Sequence, residues 1–281
     1  MSSIKIITDS TSDLTPEILK KADISVIPLY VNFNEESFID GVNISTKELY
    51  EKVREYGSLP KTSCGSPADF YKVFKPFIDE GKDIVFIGLS SELSSHLQSA
   101  MLAANSLPEG RIHIVDSLNL SSAIGLLVMK AVDFKEEGMS AAAIADNVRK
   151  LVPKVRTAFI IDTLDYLYKG GRCSALQNFF GGVLKIRPVV KVVDGKMILA
   201  QKLMGKREKA LNTMLLSVLK ESENIDPARV MITHSLSKDA EYLKSELEKN
   251  LKVNEILITE AGCVISSHCG ENTIGILYIE K

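Results

Sequence analysis

The chain opens with a short β-branched apolar run, Ile4–Thr8, that stops in the polar stretch Asp9-Ser10-Thr11-Ser12-Asp13. A buried strand running into a polar loop is how an α/β unit begins. Thr15-Pro16-Glu17 then reads as a helix N-cap with proline at the first helical position. Ile24–Val31 predicts a second strand, and Ser45 with Glu48 has the spacing of a capping box. Leu59–Pro67 is a loop by composition, followed by a helix over about Ala68–Asp79. Ile84–Gly88 predicts a strand, after which come the stretch LSSELSSH and a helical pattern to Leu107. Ile112–Val115 is the next strand. A long helix runs from about Ser121 to Glu137, and another covers Ala141–Leu151. This alternation predicts a mainly parallel sheet with helices on both faces.

Beyond Pro153 the rhythm changes. Thr157–Ile161 reads as a strand, and Leu164–Leu176 carries the turn Gly170-Gly171-Arg172. Pro188–Val193 and Lys196–Gln201 flank Asp194-Gly195, the pattern of a tight hairpin. Arg207–Ser222 and Lys238–Lys249 predict helices; Val230–Thr233, Glu255–Thr259 and Thr273–Ile279 predict strands. The expected fold is α/β with two domains. Residues 1–153 form a mainly parallel N-terminal domain, and residues 154–281 a smaller α/β domain with a mixed sheet.

The length of 281 residues agrees with two domains. A net charge of −2 leaves no global basic field, so nucleic acid is not an expected partner. The N-terminus shows no secretory pattern, and the apolar stretches fall short of the ~20 residues a membrane helix needs. A cytoplasmic protein with at most transient membrane contact is expected. Cys64, Cys173, Cys263 and Cys269 form no C-x-x-C, which fits free thiols in a reducing compartment. The spacing of Cys263, His268 and Cys269 matches no usual zinc pattern, so no metal is expected.

Four predicted loops concentrate hydroxyls: Thr8–Asp13, Lys61–Ser66, Leu89–His96 and Ile265–Asn272. Ligands of parallel α/β sheets bind at the carboxyl ends of strands, beside helix N-termini that favour anions. Any one serine is equally a cap or a turn former. Their concentration, with His268 in a glycine-rich loop and Arg172 in a turn, predicts a cleft for a small anion. No Walker-type phosphate loop, G-x-G-x-x-G, nucleophile elbow or H-E-x-x-H is present. The Ser, His and Asp content leaves two alternatives open: a hydrolase or phosphotransferase in its own right, and a regulatory module for another small anion.

In order along the chain stand Thr8-Asp9-Ser10-Thr11-Ser12-Asp13-Leu14, Pro60-Lys61-Thr62-Ser63, Leu93-Ser94 with Gln98-Ser99-Ala100, Val115-Asp116-Ser117, Leu167 to Arg172, and Val264 to Gly275. This ordered set resembles the DegV family, which includes the FakB subunits of bacterial fatty acid kinase. The resemblance covers nearly the whole chain. It implies two α/β domains holding one long-chain fatty acid in a tunnel, with no other cofactor. It implies that the chain is no enzyme by itself but presents the carboxylate to a separate ATP-dependent fatty acid kinase subunit. Thr62 and Ser94 match the hydroxyls that grip the carboxylate, His268 matches a nearby histidine, and Arg172 an arginine tied to the carboxylate end and the kinase. Ser63, Ser95 and Ser267 beside them complete the candidate ligand set. The chain departs from the family pattern at Ser95-His96 and over Ser267–Asn272, where Glu271 is expected to place a negative charge beside the carboxylate. An acyl chain contributes about 0.8 kcal/mol per buried methylene, so a few polar anchors suffice. The apolar helix over Ser121–Lys130 is read as core, with a tunnel wall as the alternative.

Overall fold

The computed structural model describes residues 3–172 and 186–281. The first lobe is built on a four-stranded sheet of order β2-β1-β6-β7, from β1 (Ile4–Asp9), β2 (Ile24–Ile27), β6 (Asp83–Gly88) and β7 (Ile112–Asp116). All its pairings are parallel. In β1 and β6 every residue after the first is buried, as expected of strands covered on both faces. Between these strands lie α1 (Pro16–Lys21), α2 (Thr46–Tyr56), α3 (Pro67–Asp79) and α4 (His96–Ala104). The predicted caps form: Ser45 and Glu48 close a capping box on α2, and Thr15 accepts the N–H of Ile18.

The expected strand Ile24–Val31 is two strands. Pro28 supplies no N–H, and the chain leaves the parallel sheet there. It resumes as β3 (Tyr30–Phe33) in a separate antiparallel sheet of order β4-β3-β5, with β4 (Glu36–Ile39) and β5 (Lys61–Ser63). The segment Lys61–Ser63, expected to be a loop, is therefore an edge strand.

The second lobe is a six-stranded mixed sheet of order β10-β9-β8-β13-β11-β12. Its strands are β8 (Val155–Ile160), β9 (Ile186–Val193), β10 (Lys196–Met204), β11 (Ile225–His234), β12 (Glu255–Glu260) and β13 (Ile274–Glu280). The β9–β10 hairpin turns at Asp194-Gly195, both with positive φ, as the Asp-Gly pair predicts. That turn docks on the first lobe: Ser90 Oγ donates to the Gly195 carbonyl at 3.0 Å. The lobe also carries α7 (Asp165–Lys169), α8 (Arg207–Leu219), α9 (Ala240–Asn250) and α10 (Cys263–Cys269). The described part of the expected Leu164–Leu176 segment ends at Arg172; the remainder, with Cys173, lies outside the described residues.

The helix α5 (Ser122–Glu136) joins the lobes, and α6 (Ala141–Leu151) follows it. The helix α5 touches β1 and β6 of one sheet and β8, β11 and β13 of the other. Its residues Ala123 to Val128 are all buried, which is what a helix apolar on nearly every side requires. Gly125 lets it approach the first lobe: a Cβ there would sit 2.9 Å from the Ser12 carbonyl oxygen. The helix is thus core; only Leu120 and Ser121, ahead of its first turn, reach the cavity described below. No helix among the described residues is long and apolar enough to cross a membrane.

Leu127 is fully buried in this seam. Leu127→Ala is expected to cost about 2–5 kcal/mol and lower the melting temperature by several degrees. A loss under about 1 kcal/mol in denaturant titration would contradict a close-packed seam.

Candidate ligand site

A cavity of about 260 Å³ opens where the segments that follow β2 and β6 face the second sheet. Leu29, Leu89 and Leu120 line it from the first lobe; Phe159, Met197 and Leu277 line it from the second. The wall is mainly apolar, the usual make-up of a small-molecule site.

One end is a ring of polar groups. Thr62 Oγ1 lies 2.8 Å from His268 Nε2, and Cys64 Sγ lies 3.3 Å from Ser95 Oγ. Arg172 donates from Nη1 to the Gly170 carbonyl at 2.7 Å and from Nε to the Leu93 carbonyl at 3.5 Å. Ser63, Ser95 and Arg172 are exposed, so this end is the mouth.

The hydroxyls at the mouth differ from those deeper in. Ser63 Oγ accepts from Asn32 Nδ2, and Ser94 Oγ accepts from the His96 N–H. A hydroxyl that accepts keeps its own hydrogen for another partner. Four deeper hydroxyls have already donated. Ser121 donates to Asp13 and Thr157 to the Asn119 side chain; Thr233 donates to Ser122 and Thr273 to the Cys269 carbonyl. Donors for an anion are therefore concentrated at one end.

His268 is held neutral. Burial, and then the charge of Arg172, lower its pKa from 6.5 to about 4. Its Nδ1 has no hydrogen-bond partner among the described residues. A Cβ on Gly170 would collide with Nδ1, so the first glycine of the Gly-Gly-Arg turn leaves room for the ring.

The ring is placed by α10, which had been expected to be a loop. Its sequence, Cys-Val-Ile-Ser-Ser-His-Cys, contains weak helix formers, and tertiary contacts override that preference. Asp13 accepts the Gly262 N–H at 2.9 Å, and Asp40 accepts the Cys263 N–H at 2.7 Å. Both carboxylates are buried. Burial raises the Asp40 pKa to about 6, against the hydrogen bonds from Ser10, Cys263 and Val264. Asp13 is also raised, chiefly by burial, with the nearby charges of Asp40 and Asp9 adding to it.

Of the seven candidate ligand residues, Thr62, Ser63, Ser94, Ser95, Arg172 and His268 come together at the cavity. Ser267 does not: its hydroxyl donates to the Cys263 carbonyl inside α10. The negative charge expected beside the site from Glu271 is turned away, to Arg54 Nη1 at 3.3 Å. His96 is fully buried in the first lobe. Cys263 and Cys269 donate to the carbonyls of Ile44 and Gly270, and no metal-binding cluster occurs among the described residues. His234, at the end of β11, lines the cavity but was not singled out from the sequence. A histidine ending a strand carries no local signal of what it faces.

The family model described as "Uncharacterised protein, DegV family" matches residues 3–281. The chain belongs to the DegV family. A DegV domain-containing protein of Clostridium acetobutylicum is 35% identical over 281 residues, covering 100% of both chains. A DegV family protein from Thermus thermophilus, whose structure is described as one of fatty acid binding, is 33% identical with a TM-score of 0.93, over 99% of this chain and 100% of that one. A DegV lipid binding protein from Thermotoga maritima is 30% identical with a TM-score of 0.87, over 99% and 98% of the two chains. The α/β architecture of this DegV chain, with its parallel and mixed sheets, is that of fatty-acid-binding relatives.

Two outcomes test the geometry. Gly170→Ala is expected to displace His268, moving its ring resonances in NMR and destabilising the fold by more than about 1 kcal/mol; unmoved resonances would contradict the contact. The lowered His268 pKa means that the folded chain binds fewer protons than the unfolded chain between about pH 4 and 6.5. Its contribution to stability is complete above about pH 6.5 and is lost as pH falls towards 4. Asp40, with its raised value, acts in the opposite direction, so the comparison must isolate the histidine. The melting temperature of wild type should fall relative to that of His268→Gln as pH drops through this window. A difference independent of pH would contradict the assignment.

Proposed function

We propose that the cavity holds a long-chain fatty acid, with the carboxylate at the mouth and the acyl chain among the apolar walls. The observation that carries this reading is the distribution of hydroxyl hydrogens: available on Ser63 and Ser94 at the mouth, already donated at Thr157, Thr233 and Thr273 inside. If His268 Nε2–H donates to Thr62 Oγ1, the threonine hydrogen is also directed to the ligand. Arg172 adds a cation at the opening, suited to a carboxylate.

In this reading the protein is a carrier. It shields the chain and leaves the carboxylate at the exposed end, where a separate ATP-dependent fatty acid kinase subunit forms the acyl phosphate. The exposure of Arg172 supports a role in that encounter. A hydrolase is favoured by no observation: a Ser–His–Asp relay needs an acid on the second histidine nitrogen, and His268 Nδ1 has no such partner among the described residues.

Denaturing the purified protein, extracting it and recording mass spectra should release a fatty acid, and added oleate or palmitate should raise the melting temperature. Recovery of no fatty acid together with no thermal shift would overturn the reading. Removing both anchors in a Thr62→Ala, Ser94→Ala double variant should weaken oleate binding at least about tenfold, since each charge-assisted hydrogen bond is worth about 1.5–3 kcal/mol. Unchanged affinity would place the anchor elsewhere. Arg172→Ala should reduce turnover with a kinase subunit more than it reduces oleate affinity; equal losses would make Arg172 simply another carboxylate ligand.

A further inference from the structure

Beside the mouth lies a buried histidine that ligand binding does not use. His96 begins α4 and is 0% exposed. Its ring packs on Phe70 and Phe86, with centroids 4.6 and 6.4 Å away. Nδ1 accepts the Gly65 backbone N–H at 3.1 Å. A ring nitrogen that accepts carries no proton, so the neutral ring has its hydrogen on Nε2. Among the described residues that atom has no hydrogen-bond partner, and Asp9 Oδ2 stands 3.9 Å from it.

The position of this bond matters. Gly65 follows Thr62-Ser63-Cys64, and His96 follows Ser94-Ser95. The bond thus joins the two segments that carry the mouth hydroxyls. The Gly65 backbone lies close against the ring, since a Cβ there would be 3.3 Å from His96 Cε1.

We propose that His96 is a positioning residue for the anion site, latching the Thr62–Cys64 segment to the Ser94–Ser95 turn through the Gly65 N–H, and that a proton on Nδ1 releases the latch. The proposal rests on the fatty acid reading of the cavity. With Nδ1 protonated, two N–H donors face each other and the Gly65 bond is lost. At the same time the imidazolium gains attraction to Asp9, whose carboxylate already accepts from Thr11 N, Thr11 Oγ1 and Leu89 N. The charged groups acting on the ring are Asp9 at the end of β1 and Asp69 on α3. The faces presented by Phe70 of α3 and Phe86 of β6 are apolar. Burial keeps His96 below the ordinary imidazole value, against the pull of these two acids. The latch is therefore closed at neutral pH and opens only in acid, below the ordinary imidazole range.

The test measures oleate affinity between about pH 7.5 and 5 for wild type, His96→Asn and His96→Leu. Asparagine keeps an acceptor for Gly65 and cannot take the proton; leucine offers no acceptor. Wild type should lose roughly tenfold more affinity over this range than His96→Asn, which retains only the slope set by other titrating groups. His96→Leu should bind roughly tenfold more weakly than wild type already at pH 7.5. Equal slopes in wild type and His96→Asn would overturn the proposal. A second measurement needs no variant: the hydrogen-exchange protection of the Gly65 amide in wild type should collapse in step with titration of the His96 ring. Constant protection through that titration would overturn the latch even where the variants fail to fold. Absence of oleate binding by wild type at pH 7.5 would instead count against the fatty acid reading, and the Gly65 amide would still report on the latch.

Discussion

Two carboxylates of the first lobe, Asp13 and Asp40, accept the N–H groups of Gly262 and Cys263 at the start of α10. The polar end of the cavity depends on this contact, because α10 carries His268, and His268 meets Thr62 from the other lobe. Burying acids so close together is costly, and their raised pKa values record it. The cost is offset by backbone N–H groups at a helix N-terminus and by the hydroxyls of Ser121 and Ser10. The short helix does not stand on its propensity; it is held by residues more than two hundred positions away.

The same principle sorts the cavity. Hydroxyl side chains line both its mouth and its interior, so composition alone does not distinguish an anchor from a wall. The direction of each hydrogen bond does. Inside, Thr157, Thr233 and Thr273 donate to protein acceptors and leave little polarity for a ligand. At the mouth, Ser63 and Ser94 accept and keep their hydrogens. This division supports the proposed ligand, an amphiphile with one anionic end.

Much of the fold was legible in the sequence, because parallel strands are continuous apolar runs and Asp194-Gly195 marks its hairpin locally. What was misread had causes at a distance. Pro28 splits one apolar run between two sheets, and Lys61–Ser63 is a strand only because β3 lies beside it. Segment 263–269 is helical because Asp13 and Asp40 hold its start. Motif order pointed to Thr62, Ser94, His268 and Arg172, and all four line the cavity. The orientation of Ser267, the turning of Glu271 to Arg54, and the presence of His234 were not legible, since each depends on the folded neighbourhood.

The central claim is polarity of binding: one end of the cavity takes the charge and the other takes the chain. A crystal structure of the protein with oleate tests this most directly. The carboxylate oxygens are expected within hydrogen-bonding distance of the Thr62 and Ser94 hydroxyls, with the acyl chain running past Leu89 and Phe159 towards Leu277. A carboxylate at the Thr233 end, or oleate bound outside the cavity, would contradict it.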